Sequence, residues 1–273
     1  MSEIVLWWYL TVIIFVFGAC WGSFLNVCVY RIPLDKSVVT PRSHCPGCGR
    51  VIAWYDNIPI WSFLALRARC RHCRVKISPR YVLIELLTAI LFTWIWLGYG
   101  YDWRTPVYWL VAACLIMGTF IDFEHMIIPD RVTIGGMIAG LILSPLLPSL
   151  HGADTAWEGL KAAAIGMATG YGILKIIAVL GKRMFKKDAM GMGDVKLMGG
   201  LGALLGWQAV FFVIFVSTLV GSVVGIGLIV ARHKEWQSRL PYGPYISLAA
   251  IVWILGGDRI WRAYWDWIGG AGL

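Results

Sequence analysis

From residue 4 to residue 30 this chain runs without one Asp, Glu, Lys, Arg or His. An α-helix needs about 20 apolar residues to cross the hydrocarbon of a bilayer, and this stretch exceeds that. Comparable stretches recur along the chain, near 81–98, 106–123, 132–147, 157–181, 195–205, 207–231 and 245–261. They predict an all-α polytopic membrane protein with about eight transmembrane helices. Composition agrees. Hydrophobic residues make up 59% and charged residues only 14%, against about 25% charged in soluble domains, which excludes a soluble fold. Disorder is excluded by 16 Trp, 11 Phe and 11 Tyr, and a collagen-like chain by 31 Gly that follow no three-residue period. The opening Met1-Ser2-Glu3-Ile4 carries an acid where a cleavable secretory signal has a basic region, so the chain is read as mature from Met1.

The net charge of +9 is concentrated. Residues 31–80 hold ten Lys/Arg against Asp35 and Asp56. Beside membrane spans such a loop stays in the cytoplasm and meets anionic lipid headgroups, so membrane lipid is the expected partner and nucleic acid is not. With this loop inside, segments 124–131, 182–194 and 232–244 are inside too. That side then carries 18 Lys/Arg, Lys182, Arg183, Lys186 and Lys187 among them, against four on the opposite side. Both termini are accordingly expected outside. The segment at 195–205 is short and rich in glycine (Gly199, Gly200, Gly202), as suits a buried or broken helix inside a protein-lined cavity. The glycine pairs Gly136/Gly140, Gly166/Gly170 and Gly221/Gly225, each four residues apart, permit close helix packing.

The organisation is thus a first transmembrane helix at 1–30, a cytoplasmic loop domain at 31–80 and a transmembrane domain at 81–273. The loop carries two CxxC knuckles, Cys45/Cys48 and Cys70/Cys73, with 21 residues between them. That is slightly more than the usual zinc-knuckle spacing. Two such turns bring four thiolates together as tetrahedral Zn2+ requires, and four filled positions make the metal structural, a means of folding a loop with little core. Disulfides or iron are the competing readings, and a reducing compartment disfavours the first. His44 and His72 read as surface side chains; Cys20, Cys28 and Cys114 read as small membrane-embedded groups.

Charges within or at the ends of spans are costly, which marks Glu85, Asp122, Lys175 and Asp194 as candidates. Asp122 closes the third span and Asp194 opens the sixth on the same face. Asp194 follows Gly191 and Gly193, whose missing Cβ atoms let a peptide or a facing helix approach the carboxylate. Two neighbouring carboxylates that share one proton can hydrolyse a peptide, one taking a proton from water while the other hydrogen-bonds the scissile carbonyl. The plainer alternative makes both residues helix ends at the interface, with Asp194 as an N-cap. Glu85 reads as half of an ion pair with Lys175 or Arg31, or as a ligand contact, and His125 as a solvated loop residue.

Together these residues resemble the bacterial prepilin peptidases, the type IV leader peptidase family of GxGD aspartic proteases. The resemblance rests on Gly22-Ser23-Phe24-Leu25-Asn26-Val27 with Tyr30-Arg31-Ile32-Pro33, the paired CxxC loop, and Ser78-Pro79-Arg80-Tyr81 with Glu85-Leu86-Leu87-Thr88. It continues through Asp122 with Ile128-Pro129-Asp130, residues 191–196, and Pro241-Tyr242-Gly243-Pro244. It implies catalytic roles for Asp122 and Asp194, metal ligation by Cys45, Cys48, Cys70 and Cys73, and a peptidase domain at 81–273. It also implies the substrates: type IV prepilins and type II secretion pseudopilins, cut after a glycine. Many members N-methylate the exposed residue with S-adenosylmethionine. No glycine-rich nucleotide loop follows a strand here, so the resemblance alone carries that cofactor, and Asn26, Arg31 and Glu85 stay unassigned. Archaeal preflagellin peptidases usually lack the cysteine loop, and presenilin-type proteases place their first aspartate mid-span. A basic leader is expected to meet Glu124, Asp130 and Asp188 rather than the basic loop. A transporter with a regulatory zinc loop, or a pilus assembly component that binds without cutting, are the readings from other classes.

Overall fold

The computed structural model describes residues 3–186, 190–231 and 240–270. The chain divides into two compact units, Met1–Met117 and Gly118–Leu273, with the division inside one helix. Among the described residues the fold is helical, with only isolated backbone bridges in place of strands.

The first unit is built on α1 (Glu3–Arg31), α2 (Trp61–Ala65), α3 (Pro79–Tyr99) and the N-terminal part of α4 (Arg104–His125). Helices α1 and α3 pack backbone to backbone. A Cβ on Gly22 would stand 2.5 Å from the Cα of Glu85, and one on Gly18 would stand 2.8 Å from the Cα of Ala89. Where these helices diverge, aromatic rings fill the space: Phe92 stacks on Trp109 at 5.3 Å and Trp7 on Trp96 at 4.8 Å. The indole N–H of Trp109 donates to the Phe92 carbonyl, satisfying a polar group that lipid cannot.

The second unit contains the end of α4, then α5 (Asp130–Leu146), α6 (Ala156–Phe185), α7 (Met192–Leu205), α8 (Trp207–Val230), α9 (Gly243–Val252) and α10 (Asp258–Gly270). Helix α7 is its axis, buried along its length from Asp194 onward. Gly140 of α5 faces Ala203 so closely that a Cβ would stand 2.5 Å from the alanine methyl. Gly166 and Gly170 of α6 lie directly against the backbones of Gly202 and Met198. Three helices therefore touch through their main chains, where dispersion contacts are densest and no hydrophobic driving force is needed. Ser144 and His151 close the far end, with 2.8 Å between Ser144 Oγ and His151 Nε2. By contrast, α8 turns Phe215, Val223 and Ile226 outward, as suits lipid contact rather than water.

All eight expected apolar segments are helical, but their lengths differ. Five regions are long and apolar enough to cross a membrane: Ile4–Leu34, Arg80–Tyr99, Arg104–His125, Ala156–Met184 and Trp207–Val230. Helix α5 has 17 residues and α7 has 14, about 21 Å of rise for the latter. The expected span at 245–261 is not one continuous α-helix. It passes from α9 into a π-turn at Trp253–Gly257, where Gly256 takes φ 133°, and resumes as the strongly amphipathic α10. A φ of that sign removes Gly256 from the helical ladder, and the apolar run conceals the break.

The packing generates a contrast between two glycines of α6. Gly166→Val should lower the melting temperature of the detergent-purified protein, an overpacking cost of about 1–3 kcal/mol. Gly172 has nothing within 4 Å of its Cβ position, so Gly172→Ala should leave melting unchanged or raise it slightly. Differential scanning fluorimetry reads both.

Candidate active site and cysteine centre

Asp122 lies on the last turn of α4, whose end is marked by Met126 at φ 53°. The extended segment that follows places Pro129 as the N-cap of α5. Asp194 enters from the other side, in the first turn of α7, after Gly191 as N-cap. Both carboxylates are buried, at 5% and 8% exposure.

Ile128 packs against Gly193, which precedes Asp194, and against Gly243, which abuts Asp122. A Cβ on Gly193 would stand 3.2 Å from the Ile128 Cβ, and one on Gly243 would stand 2.9 Å from the Ile128 Cδ1 and 2.7 Å from Asp122 Oδ2. The three segments meet only because two of them lack a side chain at the contact. The backbone N–H of Gly191 supports the Asp194 carboxyl and that of Gly243 supports Asp122, while the two acid groups are near enough for their charges to interact. Oδ2 of Asp122 closes no ordinary hydrogen bond among the described residues, leaving a buried acceptor open. Gly243 also starts α9, whose N-terminus brings its positive end to that oxygen. Tyr242 fixes this segment in turn, its hydroxyl 2.7 Å from Ser217 Oγ and 3.2 Å from Thr218 Oγ1 on α8. Gly243, Tyr242 and Ile128 are thus part of the site although the sequence reading gave them no role. The Gly243-Pro244 pair was the available signal, since a proline after a glycine suits a helix start.

Near the carboxylates Phe123, Met126, Ile127 and Met192 are exposed, interleaved with the exposed Glu124 and His125. Lys196 Nζ reaches Asp130 Oδ1 at 2.7 Å and ties α7 to the first turn of α5. Of the acids expected to meet a basic leader, Asp130 is therefore already paired, Glu124 is exposed and Asp188 lies outside the described residues. Lys187 lies outside them too. Lys175 rests its ammonium on Met192 Sδ at 3.5 Å. Glu85 accepts the Ile60 N–H at 2.7 Å, and the Arg31 guanidinium donates to the carbonyls of Ser37 and Pro41. The expected ion pair is replaced by main-chain partners, because the 31–80 segment folds back and offers its unpaired backbone groups to both.

In the first unit the knuckles repeat one backbone design. Cys45 N–H donates to the Arg50 carbonyl and Gly49 N–H to the Cys45 carbonyl; Cys70 N–H donates to Val75 and Arg74 N–H to Cys70. Flanking bridges join His44 to Val51 and Arg69 to Lys76. Gly49 and Arg74 take the same left-handed conformation at matching positions, φ 69° and 60°. The four Sγ atoms lie within 4.8 Å of one another, with Cys45 and Cys73 3.7 Å apart. Zn–S bonds of about 2.3 Å in a tetrahedron require sulfur separations of about 3.8 Å, so the sulfur cage fits that ion. Backbone N–H groups of Cys73 and His72 pull the Cys70 thiol down to about 6. Cys73 receives the Val75 N–H, yet desolvation and the neighbouring sulfurs push it up to about 11. A second thiolate beside the first needs a cation. All seven cysteines are free of disulfides. His44 and His72 contact Arg42 and Arg50 instead of joining the cage.

Buried paired carboxylates on a helical membrane scaffold with a four-sulfur knuckle define a membrane protein built around an acid–acid site. The chain belongs to the type IV leader peptidase family and is a peptidase: the model described as "Type IV leader peptidase family" matches residues 109–226, and that of the "Bacterial Peptidase A24 N-terminal domain" matches residues 16–99. Proteins named prepilin leader peptidase/N-methyltransferase align over most of the chain. That of Aeromonas hydrophila is 36% identical, covering 94% of each chain, and that of Pseudomonas aeruginosa is 32% identical, covering 92% of each. A relative from Myxococcus xanthus is 43% identical over 82% of this chain and 64% of its own length. No solved structure matches. Membership of a peptidase family displaces the transporter and the non-cleaving assembly component.

The sulfur cage predicts a single tightly held zinc ion per purified chain by inductively coupled plasma mass spectrometry. Cys48→Ser should lose that ion and bring on early unfolding, since binding free energy of a structural zinc is folding free energy.

Proposed function

We propose that Asp122 and Asp194 are the catalytic pair of an aspartic endopeptidase that removes a short basic leader from type IV prepilins and type II secretion pseudopilins. Cleavage falls after glycine, at the cytoplasmic face of the inner membrane. The observation that carries this reading is the pairing of two buried carboxylates from separate helices, near enough for their charges to interact.

Two acids so placed cannot both ionise cheaply, and they hold one proton between them. The charged member takes a proton from water, and the neutral member donates a hydrogen bond to the carbonyl of the scissile peptide. The water oxygen then bonds to that carbon; as the intermediate collapses, a carboxyl passes its proton to the departing amine. The N–H groups of Gly191 and Gly243 hold the two side chains in place throughout. The exposed Phe123, Met126, Ile127 and Met192 suit an apolar substrate segment lying against the site. A glycine before the scissile bond lets the peptide approach a site itself cleared of side chains at Gly191, Gly193 and Gly243.

The Cys45, Cys48, Cys70 and Cys73 cage holds zinc as a structural ion, and the basic 31–80 segment lies in the cytoplasm. N-methylation of the new terminus, with S-adenosylmethionine as donor, is the second activity. Bound, the donor supplies an electrophilic methyl group. Among the described residues there is no strand–glycine-loop–helix cradle for it, and no methylation step is assigned to particular side chains.

Purified protein incubated with a prepilin bearing a Gly-Phe junction, with and without S-adenosylmethionine, should release the leader, and with the donor should add a methyl mass. Asp122→Asn and Asp194→Asn should each lower turnover by about 10²–10⁴-fold with melting unchanged. An intact substrate with folded wild type, or undiminished cleavage by either variant, defeats the reading. Gly243→Ala should cut kcat by about 10²-fold, since its methyl group displaces the Asp122 carboxylate. Gly98→Ala, in open space on α3, should leave turnover unchanged.

A further inference from the structure

At the C-terminal end of α1, within the first unit, a cavity of about 260 Å³ opens between the helix and the loops that follow it. Val27, Arg31, Val39, Arg42, Trp54 and Asn57 contribute to its lining. Arg31 is only 7% exposed. Its guanidinium donates to the carbonyls of Ser37 at 2.9 Å and Pro41 at 2.7 Å, and among the described residues no carboxylate pairs with it. A buried cation satisfied only by carbonyl dipoles keeps its full charge, and buried charges are ordinarily paired. Arg42 adds a second charge to the same lining, and no acid joins it. The cavity is therefore built for an anion.

Its mouth says which kind. Val39 is 80% exposed and Trp54 is 74% exposed, and both line the cavity. Exposed apolar groups around a cationic pocket suit a ligand with an anionic head and an apolar body. The position agrees. The uncharged part of α1, residues 4–30, rises about 40 Å as a helix, the thickness of a bilayer with its headgroups, which puts Arg31 at headgroup depth. Tyr30 beside it carries Lys36 over its ring, 5.8 Å from the centroid, as aromatic and basic side chains sit together at a membrane interface.

The geometry points to a binding site for the phosphodiester headgroup of an anionic phospholipid, with Arg31 and Arg42 on the phosphate and Val39 and Trp54 against the upper acyl region. The lipid would then be a built-in part of the junction between the first helix and the cysteine-bearing loop. This proposal stands whether or not the carboxylate pair cleaves prepilins.

The test uses the full chain in neutral detergent, read by native mass spectrometry with phosphatidylglycerol, with phosphatidylcholine of the same acyl chains, or with inorganic phosphate. Wild type should hold a single phosphatidylglycerol under activation that strips phosphatidylcholine. Arg42→Gln should weaken retention about fivefold, and Arg31→Lys, which keeps the charge but not the planar fork, should weaken it too. Arg67→Gln, a cation elsewhere on the loop, should change nothing. Equal retention of the two lipids overturns the proposal. So does a loss in Arg67→Gln equal to that in Arg42→Gln, which would mean diffuse surface charge. Displacement of the lipid by inorganic phosphate or by S-adenosylmethionine also overturns it, by making the cavity the seat of a soluble ligand. Should the Arg31 variant fail to fold, judged by lost metal, the comparison of Arg42→Gln with Arg67→Gln decides alone.

Discussion

Contact between bare main chains is the constraint on which the second unit depends. In a bilayer, burying an apolar side chain against another helix gains little over leaving it in lipid, so helices hold together through close packing and dispersion. Gly140, Gly166, Gly170 and Gly202 bring α5, α6 and α7 to that limit. Once α7 is held this way, its first turn cannot drift, and Asp194 is positioned by the packing of residues up to three turns further along. The same device recurs at Gly193 and Gly243, where absent side chains leave room for Ile128 between the starts of α7 and α9. Structural and site glycines are one design applied at two depths.

What was legible in the sequence follows from what sequence encodes locally. The long uncharged runs give helices because length and hydropathy suffice, and the CxxC spacing gives the cage because each knuckle closes within six residues. Asp122 and Asp194 stood out because a carboxylate at a span end is costly. The parts that escaped depend on distant pairings. That Glu85 serves the Ile60 N–H rather than a basic side chain depends on how the intervening loop returns. That Gly243 serves Asp122 links positions far apart in sequence. The break at Gly256 is hidden for another reason: an apolar run reads alike whether its backbone is continuous or not.

The cysteine centre shows how a loop with little core gains order. Two copies of one turn, each closed by the same pair of backbone hydrogen bonds, face each other across four sulfurs. Their thiols are driven apart in acidity, Cys70 to about 6 and Cys73 to about 11. Order in this loop comes from its local turns and the four sulfurs they bring together, while order in the second unit comes from packing.

Helix α7, at about 21 Å, is shorter by roughly a third than the hydrocarbon layer a spanning helix must match. Because α5, α6 and α8 pack against it and bury it from Asp194 onward, most of its length meets protein and not lipid, and the mismatch is not felt there. The level at which Asp194 stands is therefore measured from neighbouring helices and not from the bilayer surface. A membrane that thickens or thins as its acyl chains change with growth temperature would slide past the outer helices while leaving Asp194 in register with the helices packed on α7.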